Sequence, residues 1–151
     1  MTSTDRIEKT VVLRAPRTRV WRAIANSSEF GQWFRVKFDG DFSVGKTISG
    51  KIQIPGFDHV PMEMHIESIE PESYFSYRWH PYAIEAGVDY SKEPTTLVEF
   101  RLEDAAEGTR LTILESGFDK IPAGRRAEAF RMNDNGWTSQ AKAIEKYVSA
   151  S

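Results

Sequence analysis

The feature that most constrains the fold of this chain is a change in the period of its apolar residues. Between residues 36 and 113, apolar and polar residues alternate in short runs, which is the period of β-strands. Beyond Gly117 the apolar residues recur at helical spacing, at positions 130, 137, 141, 144 and 148. Such a stripe must pack on an extended apolar surface, and the inner face of the sheet is the only candidate. The pattern predicts an α+β fold with an antiparallel sheet of about six or seven strands and a long C-terminal helix.

The N-terminal part of the chain predicts one strand and two short helices. Residues 7–14 are rich in β-branched side chains and predict the first strand. Residues 16–25 predict a short helix, because Pro16 suits the first helical position. Residues 29–34 predict a second short helix, for which Ser28 is the expected N-terminal cap.

The register of one β-hairpin can be predicted from its turn at residues 70–72. Residues whose numbers add to about 143 then face each other across the hairpin. This rule places Met64 opposite Trp79 and Ile66 opposite Tyr77, apolar against apolar. Met64 and Trp79 should therefore face the long helix. The outer face then carries Glu63, His65, Arg78 and His80.

The C-terminal helix contains one weak stretch. Residues 133–136 are poor helix formers and predict either a kink or a break between two helices. Trp137 follows directly, in the middle of the apolar stripe. We expect it to be buried against the sheet, with Gly136 allowing the helix to approach closely.

Composition limits the classes of partner. A chain of 151 residues corresponds to a single domain, residues 1–151. It has no cysteine, so disulfides and thiolate metal sites are excluded. Its 20 basic and 22 acidic residues argue against a nucleic-acid partner or a polybasic membrane anchor. The N-terminus has no apolar signal segment and no apolar run reaches membrane-spanning length, so the cytoplasm is the expected location and no membrane partner is expected.

Neither a metal site nor a cofactor is predicted. On one strand, His59 and His65 would lie ~20 Å apart, too far to share an ion. His65 and His80 belong to the outer face, and no third ligand has a suitable spacing. The glycines do not form a glycine-rich loop between a strand and a helix, which a phosphate-binding motif requires.

Several short motifs resemble one superfamily. Those at residues 15–16, 20–21 and 33–34 resemble its N-terminal motif, and residues 94–100 with 108–112 resemble its penultimate hairpin. Residues 115–118 and 135–137 resemble the C-terminal part of a branch named for activators of a heat-shock-protein ATPase. The likeness covers nearly the whole chain. It identifies the chain as similar to the START-related, helix-grip proteins, which include the birch-pollen-allergen fold.

The resemblance implies a curved sheet wrapped round the long helix, with a ligand cavity between them. Members of this superfamily carry lipids, sterols, antibiotics or hormones, and a few cyclise polyketides. The eukaryotic activators have a second domain, for which this chain has no room, so chaperone contact is the less expected partner.

In this fold, inward-facing aromatic residues converge on the cavity. The ligand-binding residues that the resemblance predicts are Trp33, Met64, Phe75, Tyr77, Trp79, Phe100, Ile113, Glu115, Phe118, Phe130 and Trp137. A cavity of this kind is mostly apolar with a few polar groups, and Glu115 and Tyr77 are the polar candidates.

Glu115 shares one strand face with Leu111 and Ile113, so it should point inward. A carboxylate there loses hydration, and its pKa rises unless a cation or several donors meet it. One interpretation is structural, with Glu115 paired to an arginine or capping the final helix region. The other is functional, with Glu115 orienting a ligand or moving a proton.

Three hypotheses for the function follow. The first is a binder of a small apolar or aromatic molecule, as a monomer or homodimer. The second is a cyclase- or hydrolase-type enzyme in which Glu115 and Tyr77 form an acid–base pair. The third is a protein-interaction module that uses the outer face of the sheet.

Residues 81–94 form a long connection, either a lid over the cavity or a disordered crossover loop.

Overall fold

The computed structural model of the protein describes residues 5–53, 61–80 and 94–149. In chain order its elements are β1 (Arg6–Leu13), α1 (Arg17–Ala25), α2 (Ser27–Phe34), β2 (Val36–Phe38), β3 (Thr47–Ile52), β4 (Pro61–Glu70), β5 (Tyr74–Trp79), β6 (Thr96–Ala105), β7 (Gly108–Ser116), a 3₁₀ turn (Phe118–Lys120) and α3 (Ala123–Ser149). The predicted connection at residues 81–94 lies outside the described residues except for Pro94, and His59 lies outside them as well.

The strands form one seven-stranded antiparallel sheet in the order β1-β7-β6-β5-β4-β3-β2. The sheet is curved, and α3 packs across its inner side against β1, α1 and α2. This is the predicted α+β helix-grip architecture, with two short helices after the first strand. Among the described residues, no helix is long and apolar enough to cross a membrane.

The hairpin of β4 and β5 has the predicted register. His65 lies opposite Arg78, and Ile66 lies opposite Tyr77. Met64 is buried on the inner side, whereas His65 is exposed on the outer side, where its ring nitrogen contacts the Thr47 hydroxyl. The alternation of apolar residues therefore determined the register correctly, because a shift by one residue would have exposed the whole apolar set.

The start of α2 differs from the prediction. The helix begins at Ser27, and its N-terminal cap is Asn26 rather than Ser28. Asn26 has an extended backbone, and its side chain accepts a hydrogen bond from the Glu29 amide at 3.0 Å. Ser28 already lies inside the helix and cannot act as the cap.

Helix α3 is continuous through residues 133–136, which excludes the break between two helices, whereas the alternative of a kink stays a prediction. The Asn133 side chain donates to the Ala129 carbonyl at 2.8 Å, a bond within the helix that keeps this polar residue satisfied. Asp134 forms a 2.9 Å ion pair with Lys9, which faces inward from β1. A side chain on Gly136 would meet open space, so this glycine does not serve a close approach to the sheet.

Candidate functional site

The centre of the candidate site is the Glu115 carboxylate, on the inner face of β7. It is fully buried, with no exposed surface. Its Oε1 accepts a hydrogen bond from the Trp137 indole at 2.7 Å. Its Oε2 accepts one from the Trp79 indole at 2.7 Å and one from the Thr96 hydroxyl at 2.5 Å. Donors from α3, β5 and β6 thus converge on one carboxyl group.

The sheet register explains this convergence. Trp79 lies opposite Thr96, so both side chains point inward at the same level of the sheet. Tyr77, Val98 and Glu115 occupy the next level, because Tyr77 pairs with Val98 and Val98 pairs with Glu115. The sequence placed Glu115 on the inner face correctly. It did not identify Thr96, which is polar but fully buried and lies just after the connection at residues 81–94.

The carboxyl group loses its hydration, and among the described residues no cation takes the place of the water. Burial raises the pKa of Glu115 above its ordinary value of 4.5, and the hydrogen bonds from Thr96, Trp79 and Trp137 offset only part of that rise. All three donors are neutral groups. The expected structural roles, an arginine partner or a helix cap, are therefore not what the described residues provide.

Tyr77 is the second polar group of the inner face, and it is completely buried. Within the described parts of the chain, its hydroxyl has no hydrogen-bond partner. Burial raises the pKa of Tyr77 well above its ordinary value of 10.0, and the negative charge of Glu115 raises it further. The predicted Glu115–Tyr77 pair is thus electrostatically coupled but not joined by a hydrogen bond.

The two indole donors form an aromatic cluster with the ring of Phe34. The ring centroids of Phe34, Trp79 and Trp137 lie 5.9 to 6.0 Å from one another. Trp137 is only 2% exposed, as predicted, whereas Phe34 and Trp79 are half-buried. This aromatic trio, Phe34, Trp79 and Trp137, therefore connects the buried carboxyl group with the protein surface.

Phe34 was missed by the sequence prediction, which chose its neighbour Trp33. Trp33 is buried, and its indole donates to the Ala23 carbonyl at 2.8 Å, which joins α2 to α1. Trp33 and Phe34 are neighbours on a short helix, and its 3.6-residue period places both rings near the side that faces the core. The sequence carries no signal that separates the ring facing the site from the ring holding the helices together.

The other predicted site residues fall into two groups. Met64, Phe75, Phe100 and Ile113 are buried on the inner face of the sheet. Phe118 and Phe130 form a separate pair with ring centroids 5.2 Å apart. Among the described residues, no ring contact joins this pair to the aromatic trio.

The inner side chains are packed against each other. Phe100, for example, lies within 6.2 Å of the Phe75, Tyr77 and Trp137 rings, measured between centroids. Two depressions, of about 450 and 510 Å³, lie on the surface, the first at the β4–β5 turn and the second beside α2 and β2. Neither is lined by a predicted site residue. These two depressions therefore do not reach Glu115.

In the described segments, no three histidine, aspartate or glutamate side chains come together, so these segments contain no candidate metal site. The Glu29 carboxylate is the centre of a charged cluster, and it joins α1, α2 and α3 through Arg19, Arg22 and Tyr147. Its cations are all satisfied within the fold, so we assign it a structural role.

Comparison with known proteins agrees with this architecture. Residues 14–149 match the family described as "Activator of Hsp90 ATPase homolog 1-like protein". The chain belongs to this family. No curated protein matches it.

Among solved structures, protein MLL2253 from Mesorhizobium loti is similar, with a TM-score of 0.76, 20% identity, and coverage of 97% of this chain and 98% of that chain. The Aha1 dimer from Colwellia psychrerythraea gives a TM-score of 0.70 at 14% identity, with 95% of each chain covered. DynU16, a protein in the dynemicin biosynthetic locus, gives a TM-score of 0.72 at 22% identity, with 96% of this chain and 47% of that chain covered. At these identities the likeness of this family member to the three structures shows the fold alone.

Proposed function

We propose that this protein binds a small apolar or aromatic molecule between the sheet and α3, next to Glu115. The observation that carries the proposal is a fully buried carboxyl group held by three neutral donors inside an aromatic lining. A packed core needs no such group, because burying a carboxylate without a cation costs free energy and an apolar residue of similar size packs at least as well.

The aromatic trio suits this role. Phe34 is half-buried and is not one of the three donors to Glu115, so its ring can rotate outward without breaking their hydrogen bonds. A planar apolar ligand would then replace its ring contacts with Trp79 and Trp137, which are worth about 0.5–1.5 kcal/mol each. The fold is compatible with such a function, and it is shared with a protein of a biosynthetic locus for a small molecule.

The proposal is tested by native mass spectrometry of the purified protein, followed by titration with N-phenyl-1-naphthylamine, a neutral aromatic probe that fluoresces in apolar surroundings. We expect a retained small molecule or a saturable increase in probe fluorescence. Trp79→Phe should weaken probe binding about three- to tenfold, since one aromatic contact is reduced.

The matched control is Trp21→Phe. Trp21 is also half-buried, but it lies on α1, and among the described rings it forms no ring contact with the aromatic trio. Equal effects of the two substitutions would place the ligand elsewhere. If the wild-type protein retains no molecule and does not bind the probe, the proposed function is wrong.

The enzymatic alternative depends on proton transfer between Glu115 and Tyr77. The raised pKa of Glu115 favours it, because burial lets this carboxyl group hold a proton more tightly than an exposed glutamate does, as a general acid must. Against it, no hydrogen bond joins the two groups, and Glu115 already accepts three bonds from other donors. Binding without reaction therefore stays the first choice.

The interaction alternative needs an exposed apolar patch on the sheet. In the described part of the chain, the exposed large apolar residues are Val12 and Val44, which lie on β1 and in the loop before β3. Two separated valines do not form a patch. The Hsp90 ATPase in the family description is therefore the less favoured partner for this protein.

A further inference from the structure

We propose that the ligand carries a hydroxyl group that accepts a hydrogen bond from Tyr77 and donates one to Glu115. This inference rests on the proposed function and names the polar chemistry of the same site. Its basis is two hydrogen-bonding positions that are left unoccupied on the inner face of β5, β6 and β7.

The first open position is the Tyr77 hydroxyl. It has no exposed surface and no partner among the described residues. Buried polar groups in native proteins are nearly always hydrogen-bonded, and an unsatisfied one costs about 1–3 kcal/mol. A group in this state therefore indicates a partner outside the described residues, and we assign that partner to the ligand.

The second open position is on Glu115. A carboxylate offers about four acceptor positions on its two oxygens. Oε2 uses two of them, for Trp79 and Thr96, whereas Oε1 uses one, for Trp137. One acceptor position on Oε1 is left, on a side chain in the same cross-strand row as Tyr77.

A ligand hydroxyl group satisfies both positions with a single atom, as a bound water molecule also would, and the comparison of 2-naphthol with 2-methylnaphthalene below distinguishes the two. A hydroxyl oxygen accepts one hydrogen bond and donates another. A ketone or ether accepts from Tyr77 but leaves Glu115 without a donor. An ammonium group donates to Glu115 but gives the Tyr77 hydrogen no acceptor. A carboxylate would be repelled by Glu115. The site thus selects an alcohol or a phenol.

The experiment compares four probes of nearly equal shape by isothermal titration calorimetry at pH 7. These are 2-naphthol, 2-methoxynaphthalene, 2-naphthylmethylamine and 2-methylnaphthalene, which differ in their hydrogen-bonding groups. We expect 2-naphthol to bind at least about fivefold more tightly than each of the others, since each of them leaves at least one buried position unsatisfied.

The variant is Tyr77→Phe, and the matched control is Tyr74→Phe. Tyr74 lies on the same strand but on the outer face, where its hydroxyl donates to Glu99 at 2.6 Å. Tyr77→Phe should abolish the preference for 2-naphthol over 2-methoxynaphthalene. Tyr74→Phe should leave that preference unchanged.

The outcomes separate the inference from the proposed function. Equal binding of 2-naphthol and 2-methylnaphthalene by the wild-type protein would overturn the hydroxyl assignment but leave ligand binding intact. A preference that survives Tyr77→Phe would overturn it as well. Failure of all four probes and of N-phenyl-1-naphthylamine, in a protein that also retains no small molecule, would contradict the proposed function itself. The wild-type comparison decides the question even if the variant does not fold.

Discussion

The Trp137 indole on α3 donates a 2.7 Å hydrogen bond to the Glu115 carboxyl group on β7. Both side chains are buried, at 2% and 0% exposure. The long helix is therefore fixed to the sheet by a directional polar contact as well as by apolar packing. Helix position and the chemistry of the candidate site depend on the same pair of residues.

Replacing Trp137 separates these two contributions. Trp137→Ala should lower the free energy of unfolding by about 3–5 kcal/mol, because a large aromatic side chain is lost from the core. Trp137→Phe keeps most of the packing but leaves Oε1 of Glu115 without its donor, so it should cost about 1–3 kcal/mol. Urea unfolding measures both. A loss below about 1 kcal/mol for Trp137→Ala would mean that α3 is not fixed to the sheet here.

Glu115 should make the free energy of unfolding fall as pH rises, which is the opposite of the usual effect of a glutamate. Its pKa in the folded protein is raised, mainly by burial, so the folded state holds its proton more tightly than the unfolded state. Stability relative to Glu115→Gln should therefore fall as pH rises from about 4.5 through the folded pKa, and become constant above it. Urea unfolding of both proteins between pH 4 and 8 measures the difference.

Glu29→Gln is the control for this pH dependence. Burial raises the pKa of Glu29, but hydrogen bonds from Tyr147 and Arg19 and the charges of Arg19 and Arg22 outweigh it, so the net shift is downward. The wild-type protein should thus be more stable than Glu29→Gln above pH 4.5, and this difference should be lost as pH falls. If both glutamates gave the same sign, Glu115 would not be held in a desolvated site.

The two tyrosines of β5 should respond oppositely to loss of their hydroxyl groups. Tyr77→Phe removes a buried group without a partner and should raise the free energy of unfolding of the ligand-free protein by about 1 kcal/mol. Tyr74→Phe removes the donor to Glu99 and should lower it by about 1 kcal/mol. Thermal and urea unfolding measure both. Destabilisation by Tyr77→Phe would show that the hydroxyl is already satisfied.

The cap of α2 can be tested with a pair of neighbouring substitutions. Asn26→Ala should cost about 1 kcal/mol, because the Glu29 amide loses its acceptor. Ser28→Ala should change stability by less than about 0.5 kcal/mol, as is usual for surface positions without a special contact. If Ser28→Ala cost more stability than Asn26→Ala, Ser28 would be the cap.

Two helical glycines provide a test of the packing of α2 and α3. Gly136→Ala should stabilise the protein by about 0.8–1.0 kcal/mol, because the position is helical and its Cβ would meet no atom within 4 Å. Gly31→Ala should destabilise it, because the new Cβ would lie 2.1 Å from the Val36 carbonyl oxygen. A destabilising Gly136→Ala would indicate that α3 is interrupted there.

The sequence predicted the parts of the site that follow from period two. Glu115, Tyr77 and Met64 lie on the inner face because apolar alternation determines which side of each strand is buried. The sequence could not identify which donors meet Glu115. That depends on how far α3 and β5 are shifted along the sheet, a tertiary distance that no local pattern contains. The missed Thr96 and Phe34 are of this kind.

The inward-facing Lys9 has a consequence for the edge of the sheet. β1 is an edge strand, and β2 at the other edge has only three residues, with Lys37 exposed in its middle. A strand from another molecule that extended the sheet beyond β1 would have to bury the Lys9 ammonium group or break its bond with Asp134. One charged side chain thus discourages edge-to-edge aggregation at β1, and the shortness of β2 does so at the opposite edge.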